Sequence, residues 1–137
     1  MELQLGGRGD GCEPLVATGA AGRSDTLSID WLGKNRARLV YDHWGQGIQS
    51  SRPFEWQDSD LKSVRVEMPS FASLDGPGTT GGAGRLRASV DGIMVWDTKV
   101  PSFAAASETV AIGRSASGCS SAGAELRAVV IDVRQVN

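Results

Sequence analysis

The sequence predicts an all-β fold in which two antiparallel sheets pack as a sandwich, in a single domain over residues 1–137. Three observations predict it. Apolar and polar residues alternate with period two in several short runs, the spacing that puts one set of side chains on each face of a strand. The 18 glycines fall in clusters between those runs, where turns need residues that reach positive φ. Helical periodicity is nearly absent, so no crossover helices are available for a parallel sheet.

The elements follow in order. Glu2–Leu5 and Pro14–Thr18 are two short strands. In Thr26–Leu32, TLSIDWL, Leu27, Ile29 and Trp31 share the core face, and Ser28 and Asp30 face outward. The turn Gly33-Lys34-Asn35 leads to Arg36–Trp44, which alternates again, so the two runs read as a hairpin. Leu61–Met68 directs Val64, Val66 and Met68 inward and Ser63, Arg65 and Glu67 outward, and Pro69 ends it. Ser73–Gly84 is polar and glycine-rich and reads as a loop. Arg85–Val90 directs Leu86, Ala88 and Val90 inward and Arg85, Arg87 and Ser89 outward. Asp91-Gly92 is a two-residue hairpin turn, after which Ile93–Thr98 returns. Phe103–Ser107 has the composition for one helical turn, and Glu108–Gly113 is a strand. Glu125–Val136 closes the chain, its AVVI centre apolar on both faces as in a covered strand.

Size and charge narrow the function. A chain of 137 residues suits one core. A formal net charge of −2, with basic residues dispersed, predicts neither nucleic-acid binding nor attraction to an anionic membrane. No apolar run reaches the roughly 18–20 residues of a membrane-inserted helix, and the first residues lack a basic region followed by an apolar one, so no secretory signal is read there. The compartment is left undetermined. Two cysteines and one histidine, without zinc spacings, make a poor metal set. No cofactor is expected, and calcium is left open.

The second half carries a resemblance. Val90-Asp91-Gly92, then Ala111-Ile112-Gly113, then the run through Ile131-Asp132-Val133-Arg134 stand in the order of a Val-Asp-Gly hairpin, an Ile-Gly strand end and a closing strand. This resembles the laminin-G-like and pentraxin-like branch of the concanavalin-A-like jelly rolls, over roughly Val64 to Asn137. The first half, with its Asp42-His43-Trp44-Gly45 strand end, is similar to short bacterial sandwich domains of unassigned function. The resemblance implies an antiparallel jelly roll of the lectin and glucanase type. The glucanase acids, Glu-x-Asp with a further Glu on one strand, are absent; Glu55-Trp56-Gln57-Asp58 is the nearest approach and does not match. Calcium-binding acidic loops of the lectin type are not recognisable.

In such jelly rolls the first and last strands pair antiparallel. With Leu3 opposite a residue near Asp132, the ladder brings Cys12 close to Cys119. Two readings stand for these cysteines, ordinary thiols or a disulfide that closes nearly the whole chain.

The candidate site residues come from alternation. In YDHWGQG, the strand end at Tyr41–Gly47, Leu39, Tyr41 and His43 fall on the core face, so His43 is expected as a buried neutral imidazole. Arg38, Asp42 and Trp44 fall outward, as do Arg65, Glu67, Arg85 and Arg87 on their strands. On one shared face they would offer fork-like donors, carboxylates and an indole platform, groups that suit a carbohydrate. The other reading of that face is solvated surface with cross-strand ion pairs. Arg8-Gly9-Asp10 spells the integrin-recognition tripeptide, which a glycine-rich turn explains as well. The functional expectation is a non-catalytic module that binds carbohydrate. The alternatives are an interaction domain that forms a homodimer through a sheet face or edge and, last, a small glycan hydrolase, for which no carboxylate pair or nucleophile–base set is recognisable.

Overall fold

A computed structural model describes residues 1–44, 46–71, 82–115, 126–127 and 129–134. Its strands are β1 (Glu2–Gly6), β2 (Gly11–Ala20), β3 (Arg23–Leu32), β4 (Arg36–His43), β5 (Ile48–Ser50), β6 (Phe54–Glu55), β7 (Leu61–Glu67), β8 (Ala83–Val90), β9 (Ile93–Pro101), β10 (Ala111–Ile112) and β11 (Val129–Arg134). They form two antiparallel sheets. The five-stranded sheet has the order β11-β1-β7-β8-β9; the six-stranded sheet has the order β10-β2-β3-β4-β5, with β6 paired to β4. β1 is held between β11 and β7, so the first strand pairs with the last, with Leu3 opposite Val133 and Gln4 opposite Asp132.

The alternation sets which side chains meet. Leu3, Leu5, Val64, Val66 and Leu86 from the five-stranded sheet and Leu27, Ile29, Leu39 and Tyr41 from the six-stranded sheet join one buried cluster. The sheets therefore face each other across this apolar layer, with their outer faces directed oppositely. Trp56, fully buried just past β6, packs edge-on against Trp31 with ring centroids 5.2 Å apart and donates its indole N–H to the Gly7 carbonyl (2.9 Å). Asp91 and Gly92 both take positive φ (49° and 79°), which matches the twist of the β8–β9 hairpin. At Gly19 (φ 91°) a Cβ would collide with the Arg23 carbonyl oxygen, so the β2–β3 connection requires glycine there.

Several expectations are corrected. Glu108–Gly113 is not one strand: Ser107–Thr109 forms a 3-10 turn and only Ala111–Ile112 pairs, against β2. The helical turn expected at Phe103–Ser107 begins instead at Ser107, because Phe103 is drawn to Asp25 by a backbone hydrogen bond. β5 and β6, too short at three and two residues to show alternation, extend β4's outer edge. Ser28 points away from the core yet is buried, since its direct cross-strand neighbours, Pro14 and Val40, are bulkier and flank it on both sides. The loop expected at Ser73–Gly84 lies mostly outside the described residues, and its end, Ala83 and Gly84, belongs to β8. Gly45 and Cys119 also lie outside them. Cys12 is a half-buried free thiol, which burial and the neighbouring Asp30 carboxylate push up to about 11.

The Arg8-Gly9-Asp10 segment is held to the body. Arg8 donates through Nη2 to the Leu32 carbonyl, and its side chain is only 16% exposed. Below it, the Glu13 carboxylate is buried and accepts from Trp31 Nε1 (2.9 Å), Arg127 N (3.1 Å) and Asp10 N (3.2 Å). A buried carboxylate needs such donors. The tripeptide is thus a fastened turn, as its composition suggested.

Candidate functional site

The outward residues do not share one face. Arg38 and Asp42 lie on β4 in the six-stranded sheet; Arg65 and Glu67 lie on β7, and Arg85 and Arg87 on β8, in the five-stranded sheet. The core separates the two groups. Alternation gives the side of a strand but not the sheet it joins, and that is why the sequence merged them. Trp44 sits in the turn beyond β4, half-buried, with its backbone N–H on the Ser24 carbonyl (3.1 Å). Arg38 is paired with Asp30 (2.9 Å).

The structure does bring Arg65, Glu67, Arg85 and Arg87 together, and it adds Asp97 from β9. Strand register builds two rows across the outer face. One runs Glu2, Arg65, Ser89, Met94; the other runs Glu67, Arg87, Asp97. Arg85 grips Asp97 with two hydrogen bonds, from Nε (2.6 Å) and Nη2 (2.8 Å). This fork geometry is the strong form of the pair. It raises the Arg85 guanidinium and lowers the Asp97 carboxyl from their ordinary values. Both groups are solvent-exposed, so the pair positions more than it stabilises.

Arg65 and Arg87 are held differently. Each stands 3.7 Å from one oxygen of Glu67, and Arg87 stands 3.7 Å from Asp97. These are ion pairs at distances beyond hydrogen-bond reach. Between these side chains lies a shallow open depression of about 190 Å³, lined by Arg65, Glu67, Arg87, Ser89, Gly92 and Met94 among others. It is smaller than the roughly 300–1,000 Å³ of pockets that enclose drug-sized ligands. Met94, 54% exposed, supplies its apolar wall.

Asp97 was missed for a definite reason, whereas Met94 stands opposite Ser89 by plain counting from the hairpin. Val90 pairs with Ile93, so plain counting would put Trp96 opposite Arg87 on the outer face. A bulge between Ala88 and Ser89 shifts the register, and Asp97 takes that place while Trp96 turns opposite the buried Ala88. The face thus carries no indole platform from β9.

His43, the only histidine, is buried on the core face as expected. The Asp25 carboxylate, fully buried, accepts from His43 Nδ1 (2.5 Å) and from the Phe103 backbone N–H (2.8 Å). The imidazole stacks on the Phe103 ring (4.2 Å, 22° between planes), and the Arg23 guanidinium lies 5.6 Å from the other ring's centre, that of Phe103. Tyr41 donates to the Pro101 carbonyl (2.7 Å), and burial followed by the Asp25 charge holds its phenol neutral. This network pins the segment that leaves β9 for the six-stranded sheet. Its polar groups are engaged with one another inside the protein.

Among the described residues no three His, Cys, Asp or Glu side chains gather as a metal site, and no helix is long and apolar enough to cross a membrane. Comparison with known proteins finds no matching family model, no matching curated protein and no matching solved structure.

Proposed function

We propose that the chain is a non-catalytic binding module of concanavalin-A-like jelly-roll type whose ligand is a carbohydrate, and that the ligand sits on the outer face of the five-stranded sheet. The fold assignment is supported by the pairing of first and last strands and by the Asp91-Gly92 hairpin in the place the resemblance implies. The observation that carries the function is the depression beside Arg65, Arg87, Ser89 and Met94. Guanidinium forks and a hydroxyl can meet sugar hydroxyls, and the Met94 thioether offers apolar contact to a ring's C–H face.

Two observations weigh against the other readings. A glycan hydrolase needs a general acid whose pKa is raised; Asp97, a carboxylate of this face, has its carboxyl lowered by Arg85. Pairing of two copies along β9, the edge of the five-stranded sheet, is opposed by a register bulge, by Lys99 and by Pro101, devices that blunt strand addition.

A glycan array tests the proposal. The wild-type chain is expected to bind a subset of glycans, and Arg87→Ala to lose at least tenfold in affinity while its melting temperature moves by no more than a few degrees, because Arg87 is exposed and its ion pairs are long. An array blank for the wild type contradicts it.

A further inference from the structure

The outer face is not electrically balanced. Across β1, β7, β8 and β9 it presents Arg65, Arg85, Arg87 and Lys99 against Glu2, Glu67 and Asp97. The shares are uneven as well. Asp97 is committed to Arg85 through both oxygens. Glu2 accepts from the Ser63 hydroxyl (3.0 Å). Arg65 and Arg87 flank Glu67, each 3.7 Å from a different oxygen of it, and Arg87 also stands 3.7 Å from the Asp97 oxygen that Arg85 Nη2 already holds. Two planar forks at the rim of one depression thus stand beyond hydrogen-bond reach of the carboxylates they flank. A guanidinium in this state gains most from a carboxylate, whose two oxygens match its paired N–H groups.

We infer that the ligand is an acidic sugar, a uronate or sialate residue whose carboxylate enters the depression between Arg65 and Arg87, with Ser89 and Met94 against the ring. The inference rests on the reading that this face binds carbohydrate and adds the class of sugar. Glu67 sets the spacing of the two arginines and, by its charge, limits how tightly an anion is held. Neutral sugars would meet the same hydroxyl partners without the charge-assisted pair. The small volume of the depression admits the acidic residue alone, with neighbouring sugars of a chain lying along the sheet.

The experiment uses the full chain and matched ligands: oligosaccharides carrying uronate or sialate residues beside the same oligosaccharides with the carboxylates methyl-esterified. The free acids are expected to bind at least tenfold more tightly than the esters. Arg65→Gln and Arg87→Gln are each expected to erase that preference, and Arg52→Gln, an exposed arginine away from this face, to leave it intact. As a readout that needs no variant, raising salt from about 50 to about 500 mM should weaken binding of the acids and spare that of any ester that binds. Esters or neutral glycans binding as well as the acids would overturn the inference and leave carbohydrate binding standing. Binding of no saccharide at all would overturn both.

Discussion

Trp56→Ala is expected to cost about 3–5 kcal/mol of folding stability, the range for removing a large aromatic side chain from a packed interior. Trp56 is fully buried although it lies outside any long strand. Its ring stands edge-on to Trp31 at 5.2 Å and its indole N–H holds the Gly7 carbonyl. Replacement leaves a cavity between the sheets and strips a partner from the β1–β2 connection. The loss should lower the melting temperature by about 10–20 °C. Thermal unfolding followed by circular dichroism checks this, and a shift under about 3 °C would mean that Trp56 does not complete the core.

The second large effect is at Asp25. Asp25→Ala is expected to cost about 3–5 kcal/mol, because it leaves two buried hydrogen-bond donors without their acceptor. The substitution strands the His43 Nδ1–H and the Phe103 backbone N–H inside the protein. Each unmet buried donor carries a penalty of about 1–3 kcal/mol. Changing His43 to Leu in the same chain removes one of the two stranded groups, so Asp25→Ala with His43→Leu should be more stable than Asp25→Ala alone. Denaturant titration of the three proteins decides it. A double variant no better than the single one would show that Asp25 serves Phe103 and not the imidazole.

What the sequence could supply, and what it could not, follows from the range of each signal. Alternation is local, and it placed Leu27, Ile29, Val64, Val66 and Leu86 in the core and Arg65, Glu67, Arg85 and Arg87 outside. The Asp91-Gly92 turn is local too, and it formed where its residue types require. Sheet membership is not local. Nothing within Arg36–His43 says that β4 lies across the core from β7 and β8, and Arg38 and Asp42 were therefore grouped with residues of the opposite layer. Asp97 was hidden by one bulged residue, which exchanged its side with that of Trp96. Asp25, Glu13 and Phe103 owe their roles to partners far along the chain: Asp25 and Phe103 are 78 residues apart, and Glu13 and Arg127 are 114 apart. An acid on the core-facing side of a strand is the one hint such a network leaves: Asp25 shares its side of β3 with Leu27 and Ile29, and Glu13 stands opposite Ile29.

The central claim is that the ligand occupies the outer face of the five-stranded sheet and not the other layer. Titrating isotope-labelled protein with an acidic oligosaccharide and following backbone amide shifts by NMR tests it most directly. The largest changes are expected at Arg65, Arg87, Ser89 and Met94, with β3 and β4 unmoved. Changes centred on Arg38, Asp42 and Trp44, or no change anywhere at saturating sugar, would contradict it.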